Sequence, residues 1–220
     1  MWVSKPRVLV LAPHTDDGEF GCGGFIARLL EAGSDVHCVA FSSADKSLPP
    51  DYPPGTLRME IAKATQILGI PGENLILFDY PVRDFPLHRQ KLLEDMIRLK
   101  RELHPDLVLQ PSSHDTHQDH QTIADEGFRA FKDVSLLGYE VPWNNLIFST
   151  NAFVALEERH LQRKIEAIQC YKSQRHRPYA SEEFIRSLAR TRGTQIGCRY
   201  AEVFESVRWV IRTMDWAIPN

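Results

Sequence analysis

Two short stretches of this chain carry side chains whose types and spacing could do chemistry. The first is Pro13-His14-Thr15-Asp16-Asp17-Gly18-Glu19, one imidazole and three carboxylates within a few residues. Adjacent carboxylates repel one another, and a cation relieves that repulsion. The second is Ser112-Ser113-His114-Asp115-Thr116-His117-Gln118-Asp119-His120, which crowds three imidazoles and two carboxylates together. Each stretch alone has a plainer use: Asp is a common helix N-cap, and a polar run is often a hydrated loop. Together they offer His and carboxylate donors for one divalent metal with a position left open. A catalytic zinc of that kind lowers the pKa of its bound water to ~7, so hydroxide becomes available at neutral pH. A third, weaker feature is Arg58 and Glu60 after a proline-rich loop, with Asp79 to Arg83 further on. Such residues usually form surface ion pairs, but their location also allows substrate contacts.

The elements that must position these residues follow from the apolar pattern. Arg7 to Ala12 is a short, continuous apolar run and reads as a buried parallel strand. Helical character begins at Gly21 and stops at Gly33, and Asp35 to Phe41 is a second strand. Strands are also expected at 74–78 and 106–110, with further ones over 136–141, 146–153 and 201–211. Helices are expected over 57–68, 87–103, 121–132, 156–171 and 181–190. This alternation predicts an α/β, Rossmann-like three-layer fold: a mostly parallel central sheet with helices on both faces. Both chemical stretches follow strands, so they fall at the carboxyl edge, where open α/β sheets bind ligands. No repeat or linker is evident, and the reading is a single domain over residues 1–220.

Composition bounds the function. The 220 residues are 43% hydrophobic and 25% charged, with 26 Lys+Arg against 29 Asp+Glu and a net charge of -3. That is ordinary globular composition, without the basic patch a nucleic-acid binder needs. No apolar run approaches the ~20 residues of a membrane span. The stretch from Met1 to Arg7 has no apolar signal core, and a cytoplasmic location is expected. The four cysteines are scattered and read as small buried hydrophobes in a reducing compartment. The aromatic and apolar residues after Trp143 are compatible with a homo-oligomer interface.

At the two motifs the chain resembles the PIG-L/LmbE-like family of zinc-dependent N-deacetylases. Pro13-His14-Thr15-Asp16-Asp17, with Glu19 and Gly21-Cys22-Gly23-Gly24, is similar to the family's first motif, and His117-Gln118-Asp119-His120 to its second. Tyr171-Lys172-Ser173-Gln174 and Tyr200-Ala201-Glu202-Val203-Phe204 add to the likeness. Thr15 stands where Pro is usual, and Gly18 where an acidic residue is common. The resemblance implies that His14, Asp17 and His120 bind Zn²⁺, with Fe²⁺ tolerated by the same ligands, and that Asp16 is the general base. It implies that a protonated His117 faces the oxyanion and that Asp119 orients His117. Arg58 matches an Arg position near the sugar, and Asp115, just ahead of the second motif, is a candidate substrate contact. The implied reaction removes acetyl from the nitrogen of a GlcNAc-type sugar or sugar conjugate by metal-activated water.

Two other readings use the same residues. A non-haem Fe(II) oxygenase would use two His and one carboxylate, but on a β-rich barrel and without a role for the His117-Asp119 pair. A non-catalytic, receiver-like module would hold Mg²⁺ on Asp16 and Asp17, although Mg²⁺ prefers oxygen ligands over His14 and His120.

Overall fold

The computed structural model describes residues 5–211. Met1 to Ser4, part of the stretch read for an export signal, lie outside them. Seven strands form one sheet in the order β3-β2-β1-β4-β5-β7-β6. They are β1 (Arg7–Ala12), β2 (Asp35–Ala40), β3 (Leu75–Leu77), β4 (Leu107–Pro111), β5 (Ser135–Tyr139), β6 (Ala152–Leu156) and β7 (Tyr200–Arg208). The first five pair in parallel, and β7 runs antiparallel between β5 and β6. Six helices cover the sheet: α1 (Asp17–Glu31), α2 (Thr56–Leu68), α3 (Arg89–Leu103), α4 (Gln118–Ala130), α5 (Glu158–Ile168) and α6 (Glu182–Gln195).

The period of two along β1 divides the core into two layers. Val8 and Val10 pack with Ile26 and Ala27 of α1 and Ile61 and Leu68 of α2. Leu9 and Leu11 pack with Leu92 and Met96 of α3 and Ile123 of α4. A strand buried on both faces has to be apolar throughout, which is why β1 shows no alternation in sequence. The chain leaves β1 toward β2 and β3, then returns through α3 to β4 on the other side of β1. That reversal makes the β1–β4 boundary the switch point, and it sets the loops after those strands side by side.

Three boundaries differ from the sequence reading. The strand expected over 146–153 is instead β6, at Ala152–Leu156. Helix α4 starts at Gln118, so the second motif lies in its first turn rather than ahead of it. Helix α1 starts at Asp17, four residues before the Gly21 start expected from sequence. The glycines are there for closeness: a Cβ on Gly21 would sit 2.2 Å from the Tyr139 ring, and one on Gly24 2.5 Å from Leu156.

Within α1 the backbone departs from helical geometry at Cys22 (φ -146°). In a regular helix the N–H of Gly24 would bond to the carbonyl of Phe20. Here Lys164 Nζ donates to the Phe20 carbonyl at 2.7 Å, while Gly24 N–H donates to Glu202 Oε1 at 2.9 Å and Phe25 N–H to Glu202 Oε2 at 2.6 Å. Lys164 and Glu202 also pair with each other at 2.7 Å, both almost fully buried. An ion pair thus replaces a helical rung, and this gives Glu202 of the C-terminal motif its structural role.

Candidate active site

After β1 the chain turns through His14 and Thr15. The Tyr171 hydroxyl holds this turn by donating to the Thr15 carbonyl at 2.6 Å. Asp16 occupies the N-cap position of α1, yet its side chain makes no capping hydrogen bond. Capping therefore does not account for Asp16. Asp17 turns back to accept from the His14 N–H at 2.8 Å. After β4, His117 caps α4 by accepting the Asp119 N–H on Nδ1 at 3.2 Å. One turn on, His120 is buried.

Three donor atoms from the two stretches converge. His14 Nδ1 lies 3.1 Å from Asp17 Oδ2, His120 Nε2 lies 3.2 Å from the same oxygen, and the two nitrogens are 3.4 Å apart. A tetrahedral zinc site with bonds of ~2.0–2.1 Å has edges of about 3.3 Å between ligands. The donor set and its spacing fit a divalent metal. The outer nitrogen of each imidazole meets a buried carboxylate: His14 Nε2 to Asp119 at 2.9 Å, and His120 Nδ1 to Asp115 at 2.8 Å. In metal sites outer-shell carboxylates orient ligating imidazoles in this way; here, against the lowering effect of burial, Asp17 and Asp115 raise the His120 pKa to about 10. His117 offers a third ring nitrogen within 4.8 Å of those of His14 and His120.

Four expectations about individual residues change. Asp119 orients His14, not His117; its carboxylate is also held by the N–H groups of Arg83 at 2.6 Å and Phe85 at 3.3 Å, and it meets His117 only through its own backbone. Burial, then the neighbouring His120 and His14, push the His117 pKa down to about 4, against the protonated role expected of it. Because its Nδ1 accepts a hydrogen bond, the neutral ring carries its proton on Nε2. Asp115, expected as a substrate contact, does not line the cleft. It is buried behind His120 and accepts the His117 N–H at 2.8 Å. Arg58 is paired with Asp79 and does not line the cleft.

Electrostatics separate the two adjacent aspartates. Burial and the charge of Asp17 raise the Asp16 pKa to about 6. Burial would also raise Asp17, but His120 and His14 outweigh it and hold Asp17 well below the usual carboxylate range. One carboxylate stays ionised among nitrogens, while its neighbour is poised near neutrality.

The site opens into a cleft of about 410 Å³. His14, Asp16, Asp17, His117 and His120 line it, with Arg83, Trp143, Asn144, Gln174, Arg177 and Tyr179. Trp143 lies flat on Tyr179, with ring centroids 3.6 Å apart and planes 8° apart. Gln174 could have been found through its motif; Arg177 and Tyr179 carried no sequence signal.

Comparison with known proteins places the chain in a family. The PIG-L family, described as GlcNAc-PI de-N-acetylase, matches residues 9–131, more than half of the chain and both motifs. A deacetylase of Escherichia coli (strain K12), YaiS, whose name describes it as uncharacterized, is 27% identical over 179 residues, 77% of this chain and 92% of that one. Diacetylchitobiose deacetylase of Thermococcus kodakarensis is 26% identical over 137 residues, 60% of this chain but only 50% of its own length. Among solved structures, the conserved protein TT1542 of Thermus thermophilus superposes with a TM-score of 0.77 at 25% identity, over 97% of this chain and all of that one.

Proposed function

The chain belongs to the PIG-L family, and from that premise we propose that it is a single-domain, metal-dependent hydrolase that removes acetyl from the nitrogen of an N-acetylated sugar. The observation that carries this reading is the triangle of His14 Nδ1, Asp17 Oδ2 and His120 Nε2 with the uncapped carboxylate of Asp16 beside it. These three residues would hold a divalent metal, zinc on this donor set, which supplies Lewis acidity toward water and the amide carbonyl.

The chain's own residues do the rest. Asp16, poised near neutrality, takes the proton from the attacking water and hands it to the departing nitrogen. That second transfer is necessary because an amide anion is a very poor leaving group. His117 Nε2–H donates to the oxygen that gains charge as the carbonyl carbon becomes tetrahedral. A neutral donor suffices, and it leaves proton transfer to Asp16 alone. The stacked Trp143 and Tyr179 give the cleft a flat apolar wall suited to the C–H face of a pyranose. Asp119 and Asp115 fix the imidazoles of His14 and His120.

The Mg²⁺ module is the weaker reading, since two of the three converging donors are nitrogens. An oxygenase leaves Asp16 and His117 without work. Among the described residues no helix is long and apolar enough to cross a membrane.

The test is free-amine release from a panel of N-acetylated sugars by the metal-loaded protein. Asp16→Ala should keep its metal and lose ~10²–10⁴-fold in turnover. Full turnover in that variant, or in a metal-free His120→Ala protein, would overturn the reading.

A further inference from the structure

Among the described residues, Ala44, Arg83 and His104 have a positive φ without being glycine. L side chains rarely adopt that conformation, and it persists only where the surroundings over-determine it. His104 closes α3 as a left-handed C-cap, a common use. Ala44 opens a short 3-10 turn, with its N–H on Ser42 Oγ. Arg83, at φ 72°, ends no helix; it lies in the loop after β3. The next residue, Asp84, returns to φ -113° and ψ 6°. Successive residues of opposite hand turn their N–H groups to one side and form a nest for an anion. The anion in this nest is a side chain of the same chain. Arg83 N–H donates to Asp119 Oδ2 at 2.6 Å, and Phe85 N–H to Oδ1 at 3.3 Å. Asp119 is fully buried, and the same Oδ2 meets His14 Nε2 at 2.9 Å. The turn is anchored in both layers of the core, by Val82 beside Val8 and Val10 and by Phe85 beside Leu9 and Leu11. The Arg83 side chain, in contrast, is exposed and reaches Ser47 Oγ at 3.3 Å.

We propose that Arg83 is a positioning residue that acts through its backbone: the left-handed turn aims the N–H that fixes Asp119, and Asp119 sets His14 for the metal. A carboxylate held by two N–H groups has no freedom to swing, so the imidazole bonded to it keeps its place in the triangle with Asp17 and His120. The strained conformation at Arg83 is retained because it serves the metal site. What position 83 must supply is therefore an N–H and a positive φ, not a guanidinium. Glycine meets both conditions without strain, and a β-branched residue is the worst choice. This rests on the metal-dependent reading above.

The experiment is a double-mutant cycle read out as Zn²⁺ affinity, by competition with a chelator. Arg83→Val and Asp119→Asn should each loosen zinc by roughly 10–100-fold, as loss of an outer-shell partner does. Arg83→Gly should bind zinc within about 3-fold of the wild type. If Arg83 acts only through Asp119, the Arg83→Val/Asp119→Asn double variant loses no more than Asp119→Asn alone, within about 3-fold; independent effects would multiply. Wild-type affinity in Arg83→Val, an equal loss in Arg83→Gly, or multiplied losses in the double variant each overturn the proposal. If Arg83→Val does not fold, a backbone ester at position 83 replaces it. The ester deletes only the N–H and should loosen zinc to the same degree; unchanged affinity overturns the proposal. Zinc binding is measured without turnover. Failure to hydrolyse any N-acetyl compound therefore removes the hydrolase reading alone, and a failed cycle removes the nest alone. A wild-type protein that takes up no zinc overturns both.

Discussion

At the start of α1, Asp16 and Asp17 face the cleft; less than two turns on, Lys164 and Glu202 meet at the kink of the same helix. Both clusters hold buried charge, and they spend it differently. At the kink Nζ has two acceptors, and both Glu202 oxygens are bonded to N–H groups. At the helix start the Asp16 side chain makes no capping bond, and the inner nitrogens of His14 and His120 point at one another and at Asp17. A saturated cluster contributes to the fold. An unsaturated one holds like groups together against their repulsion, and binding or catalysis is what gives such an arrangement a use.

Asp16→Asn sharpens this contrast most. Amine release should fall by ~10²–10⁴-fold, while the melting temperature holds or rises, because the repulsion with Asp17 is gone. A marked loss of stability would assign Asp16 to the fold instead. Lys164→Met should do the reverse. It strands Glu202 and the Phe20 carbonyl, and breaking a buried pair destabilises by ~3–5 kcal/mol. That is a fall of roughly 6–20 °C in Tm for a domain of this size. Replacing both members of a buried pair by apolar residues is often harmless, yet Lys164→Met/Glu202→Leu should remain unstable, because three backbone groups of α1 lose their partners. Recovery of the wild-type Tm in the double variant would sink the account of the kink.

Glu19 lies on α1 between the two clusters and belongs to neither. It is 1% exposed, and burial pushes its pKa up to about 8. The folded protein therefore keeps a proton that the unfolded chain has lost, and stability falls as pH rises from about 4.5 to about 8. Glu19→Gln removes that dependence. Its stability advantage over the wild type should grow across this window by about 2–4 kcal/mol; denaturant titrations at pH 5 and pH 8 measure it. A gap independent of pH would mean that Glu19 is ionised in the fold.

Much of the layout was legible from sequence for plain reasons. The unbroken apolar run of β1 can be satisfied only by burial on both faces, and helical spacing such as Leu57, Ile61, Ala64 and Leu68 placed α2 almost to the residue. The start of α1 was placed four residues late, at Gly21, because the polar residues through Glu19 read as a turn; the helix begins at Asp17, inside that stretch. Asp119 could not be assigned to His14 from neighbours in sequence, since its partner is more than a hundred residues away. Arg58 was misjudged because whether an arginine is free to meet a substrate depends on which carboxylate the fold brings to it, here Asp79.

By itself the sequence determined the donor chemistry, the two strands that carry it, and the edge of the sheet where it sits, because residue type and hydrophobic period are local properties. Tertiary structure alone decided which nitrogens face inward, which aspartate holds which imidazole, and that burial and neighbouring imidazoles lower the His117 pKa. Those outcomes depend on burial and on distances between segments far apart in the chain, and no local pattern encodes them.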